Sequence, residues 1–339
     1  MGKWAIIGAG LAGVTLAKEL SKKHEVTVFE KSHSSAGRMS TRRRSSGGDE
    51  FSFDHGAQYF TIKGQGFQDA MRPYLDQGIV QPWAAKMVTM TKDGITPRVS
   101  SHPIYVATPS MTGLVKAMAT GLDIRHQTEI SAITSTAPNA DQAPWQLTDT
   151  DGTIYDGFDG VVTAIPAKQA ASLIPDAKPD LDQVTMLGCL TVMLGFDDDH
   201  AFRPKGAHQW PEDATAIFIE DAPLGFVALN SSKPGRGDKP SVVVQANNAW
   251  ADPRLDEDPK ELEAILHQEI KSTLGIDPEK AAVTSFHRWR YAATETPLGQ
   301  PFWRHEHGQL AAIGDWCIKG RVEAAYDSAM ALAEVILQD

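Results

Sequence analysis

Only two cysteines, Cys189 and Cys317, occur in 339 residues. They are too few and too dispersed for a disulfide framework or a four-ligand zinc site, which fits a reducing compartment. No apolar stretch approaches the length of a membrane span. The first one, Trp4 to Ile7, meets glycine before it can form the centre of a secretory signal. The resulting expectation is a cytoplasmic protein with no membrane partner. Positive charge is also scarce: 32 Lys and Arg stand against 43 Asp and Glu, a net charge of −11. That excludes a general affinity for nucleic acid, so an anionic ligand must be held by local arginines and backbone N–H groups. The stretch from Arg42 to Gly48, rich in Gly, Ser and Arg, reads as an exposed loop. His305-Glu306-His307 lacks both the zinc-helix spacing and a third ligand, so no metal is expected.

What the chain does contain is an ordinary globular composition, 42% hydrophobic and 22% charged, with a length that favours two domains. Lys3 to Ile7 reads as a buried parallel strand, Leu11 to Ser21 as a helix and Glu25 to Glu30 as a second strand. Strand, helix and strand within thirty residues form the first βαβ unit of a doubly wound sheet. The middle differs. Met186 to Phe196, Thr215 to Ile219, Gly225 to Leu229 and Ser241 to Ala246 are short β-prone runs separated by turn-prone stretches, a pattern of antiparallel strands. Glu257 to Thr273 has helical spacing. Leu310 to Ile313 and Val322 to Leu337 return to strand and helix, so one domain is inserted into the other.

Gly8-Ala9-Gly10-Leu11-Ala12-Gly13 lies between the first strand and helix with GxGxxG spacing. Gly8 serves the tight turn, Gly10 the approach of a pyrophosphate and Gly13 close helix–strand packing. The helix N-terminus offers N–H groups and partial positive charge to the phosphates. Glu30, ending the second strand, is placed to accept from a ribose diol and to repel a 2′-phosphate. This unit does not separate FAD from NAD. The next elements are Ser35-Ala36-Gly37-Arg38-Met39-Ser40-Thr41, where Arg38 can neutralise a diphosphate, and Asp54-His55-Gly56-Ala57-Gln58-Tyr59-Phe60. A late Gly314-Asp315-Trp316-Cys317 is followed by Gly320-Arg321-Val322-Glu323.

On these elements the sequence resembles the flavin-containing amine oxidase superfamily, and within it the renalase-like branch. Ala36 replaces the first glycine of the superfamily's Gly-Gly-Arg element. The resemblance implies non-covalent FAD, with Gly8, Gly10, Ala12, Gly13, Glu30, Lys31, Gly37, Arg38, Met39, Ala57, Gln58, Ile130, Gly314, Asp315 and Val322 as its binding set. Asp315 would accept from ribityl hydroxyls, and the helix near Arg321 would aim its positive end at the charge of a reduced flavin. For substrate it points to Gln58, Tyr59 and Phe60, with His287, Trp289 and Trp316 as further candidates because aromatics stack planar heterocycles. Arg98 and Arg290 are candidates for a substrate phosphate, an ordinary surface ion pair being the competing role for each.

The fold class implied is α/β: an FAD-binding doubly wound Rossmann-like domain (1–64, 103–168 and 298–339) and a substrate domain (65–102 and 169–297) built on an antiparallel sheet with helices. The activity implied is oxidation of isomeric dihydropyridine forms of NAD(P) by hydride transfer to FAD, with O2 as electron acceptor and H2O2 as product. Losing hydride makes the pyridine ring aromatic, so no catalytic general base is assigned. An amine oxidase on the same fold is the alternative, and a non-catalytic flavin-binding module is a third reading.

Overall fold

The computed structural model describes residues 1–135, 144–202, 210–211, 213–220, 222–306 and 309–338. His307, part of the discounted His305-Glu306-His307 run, lies outside them. The chain forms two compact units, Met1–Met39 with Val115–Met186 and Thr294–Asp339, and Ser40–Leu114 with Leu187–Ala293.

The first unit is built on a six-stranded sheet in the order Asp123–His126, Glu25–Glu30, Lys3–Ile7, Gly160–Thr163, Leu310–Ala312, Trp303–Arg304. The first five strands run parallel and the last is antiparallel. Lys3–Ile7 lies in the interior of this sheet, which is why its sequence is a continuous apolar run rather than an alternating one. The helices Leu11–Leu20 and Val322–Gln338, from opposite ends of the chain, pack on each other. A separate antiparallel sheet of Ile130–Ser135, Trp145–Asp149 and Ile154–Phe158 completes this unit's strands among the described residues.

The second unit carries a seven-stranded sheet in the order Val283–Thr296, Thr185–Gly195, Ser241–Ala246, Leu224–Leu229, Ala216–Ile219, Met87–Thr91, Gly94–Arg98. Its strands Thr185–Gly195 and Ser241–Ala246 alternate between two covered faces. Val192, Leu194, Val242 and Val244 join a core with Leu262, Leu266, Ile270 and Leu274 of the helix Pro259–Leu274. That helix is capped by Asp258, whose carboxylate accepts from the Lys260 and Glu261 N–H groups, and it ends on Gly275. On the other face, Met193 and Val243 meet Phe51 and Phe53.

Phe51 and Phe53 explain one correction to the sequence reading. Arg42 to Gly48 is not a loop; Thr41–Ser46 pairs antiparallel with Asp49–Asp54 as a hairpin. The partner strand's aromatics anchor this arm to the sheet, a driving force that the arm's own polar composition does not display. The same hairpin shifts the expected domain limits. Residues 40–64 and 103–114 cluster with the second unit, because the hairpin packs there and Phe60–Thr61 pairs with Ile104–Ala107. Residues 169–186 cluster with the first.

Candidate active site

In the first unit the glycine turn follows Ile7, with the Gly8 N–H donating to the Phe29 carbonyl at 2.8 Å. Glu30, buried at the end of the neighbouring strand, receives the Ala9 N–H on Oε2 and the Ser32 N–H on Oε1, both at 2.8 Å. Each carboxylate oxygen keeps a further lone pair, so Glu30 can fix the turn and still accept from a ribose hydroxyl.

The second and third glycines do different things. A Cβ on Gly13 would lie 1.9 Å from the Gly8 carbonyl oxygen, so Gly13 is required by the protein's own packing. A Cβ on Gly10 would meet nothing nearer than the Gly37 Cα at 4.0 Å. Gly10 and Gly37 thus pass each other with no side chain between them, a backbone cradle that suits a diphosphate.

Beside Gly37, the Arg38 guanidinium grips the Asp315 carboxylate with two bonds, Nη1 to Oδ2 at 2.9 Å and Nη2 to Oδ1. The unit therefore gathers Gly8, Gly10, Gly13, Glu30, Gly37, Arg38 and Asp315 from segments nearly three hundred residues apart. Gly314 donates its N–H to Ser328 Oγ at 3.0 Å, and Val322 starts the last helix. Ala12 and Met39 are buried, and Ile130 opens its strand as a buried residue. Lys31 is exposed and lies 3.6 Å from Glu129. These residues fit a dinucleotide: an open cradle, the Arg38–Asp315 ion pair beside it, an acid for hydroxyls and a long helix start. Cys317 is fully buried and its thiol is pushed up to about 12 by burial, so it is poorly suited to a covalent link.

The second unit holds two polar and aromatic groupings. Asp54, wholly buried, accepts from Thr41 Oγ1 (2.7 Å) and the Met111 N–H (3.1 Å) on Oδ1. Its Oδ2 accepts from Arg236 Nη2 (2.7 Å), Arg236 Nε (3.1 Å) and Lys233 Nζ (3.3 Å). These partners hold the Asp54 carboxyl below the usual range against the opposing effect of burial. Burial pushes the Lys233 ammonium down to about 8. Lys233 also donates to Gln58 Oε1 at 3.0 Å, while Gln58 Nε2 donates to the Asp54 and Gly56 carbonyls. The Gln58 amide is therefore engaged on both sides, in a frame that fixes the 54–58 turn rather than reaching for a substrate.

Above this frame His55, His287 and Trp289 form an aromatic platform. His55 stacks on Trp289 at 5.1 Å, His287 meets Trp289 edge-on at 4.4 Å, and Trp289 Nε1 donates to the His55 carbonyl at 2.9 Å. Arg42, from the hairpin misread as a loop, reaches His287 Nδ1 at 3.1 Å. Burial is the main cause that lowers His55 to about 3 and His287 to about 4, so both rings are neutral near pH 7. His55 Nδ1 is buried without a hydrogen-bond partner.

Of the substrate candidates, His287 and Trp289 come together, and His55 joins them, a residue of the Asp54–Phe60 segment to which the sequence assigns no role. Phe60 is buried against Phe67 and Tyr105, and Trp316 is fully buried with Nε1 donating to the Ile165 carbonyl, so both are core residues. Tyr59 stays half-buried beside Trp83 and Phe226. Ala57, half-buried, belongs to the second unit with Gln58.

The neutral histidines carry a stability prediction. An unfolded histidine titrates near 6.5, above both folded values, so the unfolded chain takes up protons first as pH falls. The stabilisation is complete above about pH 6.5 and declines toward the folded values. Thermal melts between pH 7.5 and 5 are expected to fall in midpoint, with a shallower slope in His287→Asn. Equal slopes would show that His287 is not held neutral.

Residues 6–77 match the family described as an NAD(P)-binding Rossmann-like domain, and residues 92–337 match that described as flavin containing amine oxidoreductase. Among solved structures, the chain is similar to a protein assigned as a protoporphyrinogen oxidase from Exiguobacterium sp. 255-15, with 13% identity and a TM-score of 0.77, covering 100% of this chain and 99% of that one. Two redesigned variants of putrescine oxidase follow at 12% identity, with the same coverage and TM-scores of 0.69 and 0.67. At that identity these likenesses show the fold. Among the described residues no helix is long and apolar enough to cross a membrane.

Proposed function

Because the chain belongs to the flavin-containing amine oxidoreductase family and takes FAD as its cofactor, we propose that it oxidises a dihydropyridine nucleotide, as renalase-like enzymes do. The substrates are isomeric 1,2- or 1,6-dihydro forms of NAD(P). The observation that carries this reading is the charge balance of the aromatic platform. The half-buried His287 and Trp289 rings offer neutral aromatic surface, with His55 buried against Trp289, and the Arg42 guanidinium meets His287 at the edge. The carboxylate that acts on His55, Asp54, is fully engaged by Lys233 and Arg236. A planar ring on an anionic nucleotide suits that environment, with the Arg42 guanidinium at its edge for the nucleotide's negative charge.

Bound FAD supplies the hydride acceptor and the route by which two electrons reach O2, giving H2O2 with the proton carried by the hydride and one more from solvent. The residues of this chain hold and orient. The glycine cradle and Arg38 take the diphosphate, Glu30 the ribose and Asp315 the ribityl chain. His287 and Trp289 stack the dihydropyridine, and the buried His55 ring backs Trp289. Loss of hydride aromatises the ring and leaves no proton to remove, so catalysis rests on proximity and exclusion of water. Lys233, the described lysine buried enough to hold a water in an amine oxidase, is instead bonded to Asp54, Gln58 and Asn230.

Anaerobic mixing of the holoprotein with borohydride-reduced NAD isomers and with a panel of primary and secondary amines tests this choice. Bleaching of the flavin absorbance by the dihydro isomers and not by amines is expected. Bleaching by amines alone would replace this reading with amine oxidation.

A further inference from the structure

On the second unit's sheet, Phe218 and Phe226 face each other across paired strands, with ring centroids 4.9 Å apart. Tyr59 extends the row, 6.3 Å from Phe226, and Trp83 follows 6.2 Å from Tyr59. Tyr59, Phe218 and Phe226 are each partly open to solvent. At the far end stands Arg98, the last residue of the strand Gly94–Arg98, with its guanidinium 4.2 Å from the centroid of the Phe218 ring.

Arg98 differs from the other arginine singled out by the sequence. Arg290 has a carboxylate partner, Asp256, at 2.8 Å. Arg98 has none among the described residues; its one hydrogen bond is to Thr89 Oγ1 at 3.4 Å. Burial raises the Tyr59 hydroxyl's pKa and the charge of Arg98 opposes that rise, so the two groups share one electrostatic neighbourhood. A guanidinium parked on an aromatic ring without a counter-ion keeps its fork of N–H donors available for an anion. The partly open rings beside it offer stacking for a second planar base.

We propose that Arg98 with Phe218, Phe226 and Tyr59 forms a subsite for the phosphate and adenine of the dinucleotide, separate from the His55–His287–Trp289 platform that takes the dihydropyridine. The subsite rests on the nucleotide reading above and deepens it by assigning the tail of the substrate. It makes Arg98 a specificity residue, selecting substrates that carry phosphate over the bare dihydropyridine riboside.

Two measurements test it. The first needs no turnover: adenosine 5′-monophosphate is titrated into the FAD-loaded protein by calorimetry. Wild type is expected to bind, Arg98→Ala about tenfold more weakly, the size of one lost charge-assisted contact, and Arg98→Lys in between. The second is the preference in kcat/KM for reduced dinucleotide over reduced riboside. It is expected to shrink about tenfold in Arg98→Ala through KM. Equal AMP affinity in wild type and Arg98→Ala, or no AMP binding by wild type, overturns the subsite. A wild type that binds AMP through Arg98 but is bleached by no dihydro isomer retains the subsite and overturns the activity instead.

Discussion

Gly10→Ala is expected to fold as the wild type does and to lose FAD affinity by at least about a hundredfold, or ~2.7 kcal/mol. Gly10 has φ −75° and ψ −177°, a conformation open to any residue, and its added methyl would touch only the Gly37 Cα at 4.0 Å. The apoprotein therefore gains no strain. The methyl does stand where the two backbones leave room for a diphosphate, and it holds the phosphates away from the N–H groups at the helix start. Gly13→Ala should behave in the opposite sense, because its methyl would meet the Gly8 carbonyl oxygen at 1.9 Å and destabilise the apoprotein itself. Fluorescence titration of apoprotein with FAD, paired with thermal melts of the apoproteins, separates the two. Wild-type FAD affinity in a well-folded Gly10→Ala would place the diphosphate elsewhere.

Replacing Asp54 by Ala should be among the most destabilising changes in the second unit, at about 3–5 kcal/mol. It strips the counter-ion from two buried cations at once, Lys233 and Arg236. Lys233→Met should cost less, because Arg236 still reaches Asp54 through Nε and Nη2 and a methionine fills similar volume. The pH dependence has a defined sign. The folded Asp54 carboxyl titrates below its unfolded value, so its contribution is present above the ordinary carboxylate range and is lost as pH falls toward the folded value. Urea unfolding of the two variants at neutral pH gives the comparison. A larger loss in Lys233→Met than in Asp54→Ala would contradict the assignment of Asp54 as the hub.

Much of the first unit was legible because its signals are local. The run Lys3 to Ile7, the glycine turn and Glu30 occupy one short stretch, where spacing alone relates them. The strands Ser241–Ala246 and Leu224–Leu229 were likewise visible, the second from Gly225, as β-prone runs with bounding turns. What the sequence hid depends on distant partners. Arg42 looks solvated until Phe51 and Phe53 are seen anchoring its hairpin, and only then does it meet His287. Lys233 and Arg236 lie in a stretch that reads as an exposed turn, yet both are buried on Asp54, some 180 residues earlier. Trp316 and Phe60 were candidates for ligand contact because aromatic residue type does not distinguish core from pocket. His55 lies in the Asp54–Phe60 segment, but its place in the site follows from neighbours supplied by a strand more than 200 residues away.

The glycine cradle, Arg38 and Asp315 should together hold one FAD. The direct measurement is the visible spectrum of the purified protein before and after denaturation. The prediction is a bound flavin spectrum, with about one FAD per chain released intact into the supernatant, as non-covalent binding requires. Colourless protein that gains no flavin spectrum when FAD is supplied would contradict it.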